Sequence, residues 1–401
     1  MRGVLPLIKK SKRLALTTAS AALLALGTTA CDSVDGQGGE EPGPTPTPTE
    51  ACGGFGVLCN VSGTAGELGF SGDGGPATSA RHYWPMDLTV GANEVLYVAD
   101  WNNHVIRKID ENGVISKFIG AGNLGDDATG PADQLNLNHP VGMTIGPDGH
   151  FYLASWHNWK IKKIDSNTMQ TTSPIGTVQG LDGDGGPANQ AKMDLPSAVV
   201  FAPDGSIYVA DQGNWRVRRI APDGQIETFV DGERGFADGV GTEARFDAPQ
   251  GPDSSPGGKI SLNADGTALL LADTFNNRTR RIDLATREVT TIAGTGAAGY
   301  GGDGGAAINA QLNGPSDVLM THDNEIFIAD AQNHVIRKIA ADGTISTVAG
   351  TGQKGVSPDG TPATEAMLNT PFGIAYSGGN HTLYIADTFN QMTKRIYLGH
   401  Q

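Results

Sequence analysis

The sequence is poor in cysteine, aromatic residues and basic residues, and each shortage excludes a class of protein. Its 401 residues include only three Cys, and aromatic residues make up 6%. So few cysteines exclude a small domain that depends on several disulfides. Lys and Arg total 28 against 43 Asp and Glu, a formal charge of −15. Because such an acidic chain repels phosphate backbones, we expect no nucleic-acid partner.

Motifs for common catalytic chemistry are also missing. No Gly-x-Gly-x-x-Gly precedes a helix, and no nucleophile-elbow pattern occurs. The nine His are scattered, with no two at metal-ligand spacing on one element. We therefore expect no cofactor. Helical periodicity is absent after the amino terminus, and the abundant Gly (57 residues) suits a chain of strands and tight turns.

The amino terminus is organised as an export signal. Five basic residues precede an apolar stretch over 14–30, which ends in small residues. This order is typical of a secretory signal, here residues 1–30, and the stretch is too short for a convincing spanning helix. The residues before Cys31 resemble a bacterial lipoprotein cleavage site, at which the Cys is acylated. Thr28 departs from the Leu-like residue usual there, so ordinary cleavage after Ala30 is the alternative.

A tether and a cysteine pair follow the signal. Residues 31–51 hold one Val as their only sizeable apolar residue and alternate Pro with Thr, which predicts an extended tether. Cys52 and Cys59 are expected to form a disulfide in an oxidising compartment, two free thiols being the alternative. These features predict a protein held by its lipid alone at a bacterial membrane, facing the periplasm or the exterior. Residues 52–401 are the folded domain, expected to be a monomer.

One hairpin pattern recurs six times in this domain. An apolar run ends on an acidic or polar anchor, a short turn holds an Asn, and a second apolar run carries basic residues. The anchors are Asp100, Ser155, Asp211, Asp273, Asp330 and Asp387, at steps of 55, 56, 62, 57 and 57 residues. A fixed period in this range is typical of propellers and solenoids.

Each repeat predicts four strands, named a to d, and six repeats predict an all-β protein with six blades. The hairpin supplies strands b and c; a strand ending in Gly, a Gly/Asp-rich loop and another strand complete the unit. Residues 57–63 match strand d, whereas the carboxyl end supplies only a, b and c. The amino-terminal strand is therefore expected to complete the sixth blade and close the ring.

The repeats resemble the NHL-repeat family over residues 57–398. The Ala-Asp-x-x-Asn turn, the basic pair after it and the loop Gly-Asp-Gly-Gly-Pro-Ala carry the resemblance. It implies a six-bladed β-propeller that usually acts as a binding platform. A few members of the family, such as the peptide-amidating lyase, are metal-dependent enzymes, so the resemblance also implies this alternative.

Residues that recur in every blade are predicted to be scaffold. Each anchor Asp should pair with the basic residue seven positions on, from Asp100 with Arg107 to Asp387 with Lys394. The loop residues Asp73, Asp184 and Asp303 are expected to serve turns rather than calcium, because that ion needs 6–8 oxygen ligands.

Features that do not recur point to function instead. All five Trp fall in the b–c turns and d–a loops of the first three blades, together with several His. Aromatic rings on a rigid face are common binding anchors. The predicted ligand-binding residues are Trp84, Trp101, His104, Trp156, His157, Trp159 and Trp215. The alternative is packing between blades, foremost for Trp159 and Trp215.

The sequence therefore predicts a binding platform for a protein, peptide or glycan ligand. The alternative function is an exported lyase or lactonase with a metal in the central channel. Asp87 and Asp317, two positions beyond the Pro of their a strands, are the weak candidates for its ligands.

Overall fold

The computed structural model describes residues 52–230, 233–251 and 256–399. The signal, Cys31 and the tether lie outside these described residues. The described chain forms six antiparallel sheets, each with four main strands, in the order expected of a six-bladed β-propeller. The predicted fold is confirmed.

The strands follow one another blade by blade. The chain opens with β1 (Val57–Ser62). Blade one has β2 (Pro85–Val90), β3 (Leu96–Asp100), β4 (Val105–Ile109) and β5 (Ile115–Ile119). Blade two has β6 (Gly130–Pro131), β7 (Pro140–Ile145), β8 (Phe151–Ser155), β9 (Lys160–Ile164) and β10 (Gln170–Ile175). Blade three has β11 (Pro196–Phe201), β12 (Ile207–Asp211), β13 (Arg216–Ile220) and β14 (Ile226–Val230).

The second half of the ring repeats this arrangement. Blade four has β15 (Gly239–Val240), β16 (Ile260–Leu262), β17 (Ala268–Asp273), β18 (Arg278–Asp283) and β19 (Glu288–Ala293). Blade five has β20 (Pro315–Met320), β21 (Ile326–Asp330), β22 (Val335–Ile339) and β23 (Ile345–Ala349). Blade six has β24 (Thr361–Pro362), β25 (Pro371–Ser377), β26 (Thr382–Asp387) and β27 (Met392–Tyr397), with β1 as its fourth main strand.

The helices in the described part of the chain are all short 3-10 turns of three residues. They are Ala77–Ser79, Ala92–Glu94, Trp101–Asn103, Ala132–Gln134, Trp156–Asn158, Ala188–Gln190, Gln212–Asn214, Gly241–Glu243, Thr274–Asn276, Ala307–Asn309, Ala331–Asn333, Ala363–Glu365 and Thr388–Asn390. Within the described residues, none of these helices has the length and apolar character that crossing a bilayer requires.

The hydrophobic core lies between blades. One buried cluster joins Leu270 and Ala272 of blade four to Val318 and Ile328 of blade five, and similar clusters follow around the ring. Because each sheet is covered on both faces, its central strands are buried along their whole length, as β8 and β17 show.

The ring has two different ends. The b–c turns and the d–a loops meet at one of them: the amide of Asn102 donates to Tyr83 O (3.1 Å) and the amide of His157 to Asn138 O (3.2 Å). We call this end the loop face. The a–b and c–d turns form the opposite end, the turn face, since the strands alternate in direction.

The ring closes as the sequence predicts. Strand β1 pairs with β27, with Leu58 opposite Ile396 and Cys59 opposite Arg395. The predicted disulfide between Cys52 and Cys59 is present, directly before and within this closing strand. The amino-terminal strand therefore removes the free sheet edge that β27 would otherwise expose.

Candidate functional site

A buried basic residue fastens each blade to its loop. Arg107, Arg218, Arg280 and Arg337 are fully buried and lie 3.8, 3.4, 2.7 and 3.4 Å from their anchor Asp. The pairing predicted for these four blades is thus confirmed. Each guanidinium also contacts the Asp of the preceding loop; Arg337 Nη2 lies 2.5 Å from Asp303 Oδ1. The repeated loop Asp therefore binds a buried Arg. This role was not predicted from the sequence, from which the Asp was expected to serve a turn.

Blade six departs from this pattern. Lys394 Nζ lies 3.8 Å from Asp359 Oδ1 of the loop, whereas its predicted partner Asp387 attracts it without a direct ion pair. Asp387 is held instead by the amide of Asn369 (2.7 Å) and by Asn390 Nδ2 (2.7 Å). Burial raises the pKa of Asp387 to about 7.

The recurring Asn is also scaffold, as predicted. Its amide group donates both to the anchor carboxylate and to a loop carbonyl; Asn333 Nδ2 reaches Asp330 (2.8 Å) and Gly299 O (2.6 Å). Five blades share this double contact. In blade two Asn158 instead reaches Gly125 O (2.8 Å) and accepts from Ser155 Oγ (2.6 Å). These contacts position the loop face without distinguishing one blade from another.

A chain of aromatic rings does distinguish the blades. Trp84 stacks on Trp101 (ring centroids 5.7 Å apart) and touches Phe389 of blade six (5.4 Å). Trp101 continues to His139 (4.2 Å) and Trp156 (5.9 Å). We call these five residues, with Tyr83, His104 and His157, the aromatic arc. It crosses blades six, one and two at the loop face.

The arc has a buried layer and an exposed layer. Trp156 is fully buried and Trp101 is 8% exposed; both belong to a core cluster with Met86 and Phe372 of two a strands. Trp84 is only partly buried and packs over that cluster. Of the predicted binding residues, Trp101 and Trp156 therefore support the surface from below, whereas Trp84, with His104 and His157, is accessible.

Three histidines form one end of the arc. His139 Nδ1 lies 2.8 Å from His157 Nδ1, and the His139 amide donates to His104 Nδ1 (3.3 Å). Burial and the two neighbouring imidazoles lower the pKa of His139 to about 3. Burial also lowers the pKa of His104. The imidazoles of His139 and His104 are therefore protonated less readily than a free imidazole, which favours their neutral forms.

Sequence reasoning missed His139 and Phe389. His139 occupies the same position before its a strand as Trp84, and both have left-handed backbone (φ 55° and 61°). Aligning the residue before each strand a Pro would have found His139. Phe389 belongs to the last blade, which contains no Trp, and only ring closure brings it beside blade one.

Trp159 and Trp215 occupy equivalent positions after the b–c turns of blades two and three. Trp215 packs against the cluster between blades three and four, and its indole donates to Ala248 O (3.2 Å). The predicted alternative of packing between blades thus describes Trp215. Trp159 is partly buried, and its indole N–H finds no acceptor among the described residues.

The central channel has an apolar cluster towards the loop face and a cavity towards the turn face. Met86, Val141 and Phe372 of three a strands pack in this cluster together with the buried Trp layer. Beyond them lies a cavity of about 230 Å³ lined by a strands of all six blades. Asp87, Lys259 and Asp317 stand at its inner end.

These three side chains form one ion-paired group. Lys259 Nζ binds Asp87 Oδ1 and lies 3.4 Å from Asp317 Oδ2. Burial raises the pKa of Asp87 to about 6 and also raises that of Asp317. Burial opposes the charge of Lys259 as well, but Asp317 and Asp87 outweigh it and raise the Lys259 pKa.

The group does not fit the metal that the enzyme alternative requires. Two carboxylates face the channel, yet an ammonium lies between them, and in the described part of the chain no three His, Cys, Asp or Glu side chains converge on a metal position. Counting two positions beyond the Pro of an a strand finds Asp87 and Asp317, but in blade four the same count from Pro249 reaches Gly251 and misses Lys259. The chain between Pro249 and β16 is longer there, and Ala272 N–H bonds Lys259 O (3.0 Å) where the strand really begins.

The amino-acid sequence of the repeats is similar to the sequences of NHL-repeat proteins. The family model described as the Teneurin NHL domain matches residues 176–221. The chain is 29% identical over 325 residues to Protein SUPPRESSOR OF QUENCHING 1, chloroplastic, of Arabidopsis thaliana, covering 76% of this chain and 29% of that protein. It is 28% identical over 279 residues to human NHL repeat-containing protein 2, covering 61% of this chain and 37% of the relative.

The chain thus spans well under half the length of these relatives. Among solved structures, an auxiliary nutrient binding protein from Bacteroides ovatus superposes with a TM-score of 0.62 at 15% identity, over 86% of this chain and 77% of that one. At such low identity the likeness concerns the fold alone. In sequence this chain is similar to NHL-repeat proteins, and in structure to six-bladed propellers.

Proposed function

We propose that this protein is an exported, lipid-anchored propeller that captures a protein, peptide or glycan ligand at its loop face. The observation that carries the proposal is the aromatic arc, which occurs on three adjacent blades and not on the other three. At the position of Trp101 and Trp156, blades three to six hold Gln212, Thr274, Ala331 and Thr388, and blade six joins the arc only through Phe389. A residue needed only for folding would recur in every repeat, so this enrichment favours a ligand.

The surface suits a ligand that is uncharged where it binds. Trp84, Tyr83 and Phe389 offer ring faces, and the lowered pKa values of His139 and His104 favour neutral imidazoles beside them. Asn102 and Asn138 lie next to His139 and can exchange hydrogen bonds with a polar group of the ligand. Aromatic anchors within such a polar frame are typical of binding hot spots.

Replacing Phe389 by Ala is expected to weaken ligand capture by about 2 kcal/mol, roughly thirtyfold, at a small cost in stability. Phe389 is partly exposed and its ring contacts Trp84. The matched control is Phe275→Ala: Phe275 holds the same place in an identical Thr-Phe-Asn turn of blade four, remote from the arc, and is 51% exposed.

The measurement is binding of the purified protein to arrays of glycans and peptides and to envelope extracts, with wild type and both variants in parallel. Selective loss in Phe389→Ala supports the proposal. Equal binding by all three proteins would contradict it, as would an equal loss in the Phe275→Ala control.

The membrane attachment is a separate part of the proposal and rests on the residues around Cys31. Cys31→Ser is expected to move the protein from the membrane fraction to the soluble exported fraction, because a lipid needs the thiol. Cell fractionation with immunoblotting measures this. Unchanged membrane association would contradict lipid attachment at Cys31, whereas a soluble wild type would indicate ordinary cleavage after Ala30.

A further inference from the structure

Two carboxylates surround one ammonium group at the inner end of the channel cavity. Asp87 on β2 and Asp317 on β20 approach it from blades one and five, and Lys259 enters from blade four. Their side chains are only 12%, 10% and 5% exposed. Among the described residues no other ionisable side chain lines the cavity, so the group carries a net charge of −1 when both carboxylates are ionised.

The backbone around the group is built to hold the two carboxylates in place. Asp317 accepts the amide of Ile374 from blade six (2.9 Å) and the amide of Val318 (2.8 Å). Gly373 packs so closely that an added Cβ would lie 2.5 Å from Met86 O and 2.9 Å from Asp87 Oδ1. Asp317 is therefore held by blades five and six, and Asp87 packs against Gly373 of blade six, independently of the flexible Lys side chain.

We propose that Lys259 is the resident cation of this channel: its ammonium occupies a cation site formed by Asp87 and Asp317, and it excludes a divalent metal from that site. Removing one member of a buried ion pair leaves an uncompensated charge, which is strongly unfavourable. Without the Lys side chain, the two fixed carboxylates should therefore accept an external cation. The chemical class best matched to the space is a primary alkylammonium ion; a divalent cation is the second.

Lys259→Ala tests this by removing the atoms from Cγ to Nζ, which n-propylammonium would replace. The melting temperature is expected to fall by roughly 4–7 °C, as for a broken buried ion pair in a chain of this size. Millimolar n-propylammonium should restore at least half of that loss. Tetramethylammonium has the same charge but no N–H donor and should restore little. Lys338, whose ammonium pairs with Glu325 at 2.8 Å on the partly exposed turn face, provides the control Lys338→Ala, which should not respond to either ion.

The wild-type protein supplies an independent measurement if Lys259→Ala fails to fold. Calorimetric titration of the wild-type protein with Ca²⁺, Mn²⁺ and Zn²⁺ is expected to show no saturable binding at this site. Binding is assigned to the site only if Asp87→Asn removes it. Amine acetylation with peptide mapping should also leave Lys259 unmodified under conditions that label Lys338. Saturable metal binding that depends on Asp87 would overturn the proposal. So would a folded Lys259→Ala variant that n-propylammonium does not stabilise.

Discussion

Deletion of residues 52–66 is expected to abolish cooperative unfolding of this protein. The deleted segment contains β1, whose Leu58 is 1% exposed in the cluster between blades five and six. It also removes Ser62, which bonds Thr393 Oγ1 (2.7 Å) and His82 Nε2 (2.8 Å) across the seam where the ring closes. Because each blade buries its faces only against its neighbours, an open ring loses core on both sides of the seam.

The matched control deletes residues 32–50, which consist mainly of Gly, Pro, Thr and acidic residues. This change should leave the melting temperature within about 2 °C of wild type, because it removes almost no apolar surface. Calorimetry or circular dichroism with thermal scans measures both variants. Identical melting of the two deletion variants would contradict the role assigned to β1.

Arg280→Met is expected to lower the free energy of unfolding by about 3–5 kcal/mol, the usual effect of breaking a buried ion pair. Arg280 is fully buried, and its Nη1 lies 2.7 Å from Asp273 Oδ2 while its Nη2 lies 2.6 Å from Asp238 Oδ1. Without the Arg280 guanidinium, the buried Asp273 carboxylate loses its ion-pair partner, and the loop that contains Asp238 is no longer bound to β18. Denaturant titration at constant pH measures the effect.

The deficit should grow as pH rises. Burial already raises the pKa of Asp273 to about 6 against the pull of Arg280, so the pKa should rise further in the variant. A carboxyl whose pKa is raised on folding costs stability as pH increases from about 4 through the folded pKa, because the unfolded chain ionises more easily. The variant should therefore lie closer to wild type at pH 5 than at pH 8.

Arg281→Met is the matched control for Arg280→Met. Arg281 is the next residue on β18, but its side chain is 37% exposed and pairs with Asp283 at 3.2 Å. Exposed pairs of this kind contribute about 0–1 kcal/mol, so the change should be small at either pH. An equal loss of stability in both variants would contradict the prediction, because burial of the Arg280 ion pair would then not determine its contribution to the free energy of unfolding.

Much of the scaffold could be predicted from local sequence because it is local in origin. In four blades the anchor Asp, the Asn three residues later and the Arg seven residues later lie within one hairpin, and the turn alone brings them together. The absence of a d strand at the carboxyl end could also be predicted, by counting the strands of each repeat. The partners of the loop Asp were not visible, since Asp184 and Arg218 are 34 residues apart and meet only when the blade is folded.

The amino-acid sequence by itself determined the repeat, the six blades, the closing strand and the disulfide, because strand pattern, turn chemistry and spacing are properties of neighbouring residues. Only the tertiary structure decided which Trp are buried: Trp84 in a d–a loop stays partly exposed, whereas Trp156 in a b–c turn is enclosed by the neighbouring blades. It alone brought Phe389 beside Trp84, and Asp87 beside Lys259 and Asp317. The physical reason is closure: residues hundreds of positions apart become neighbours when six blades share one axis.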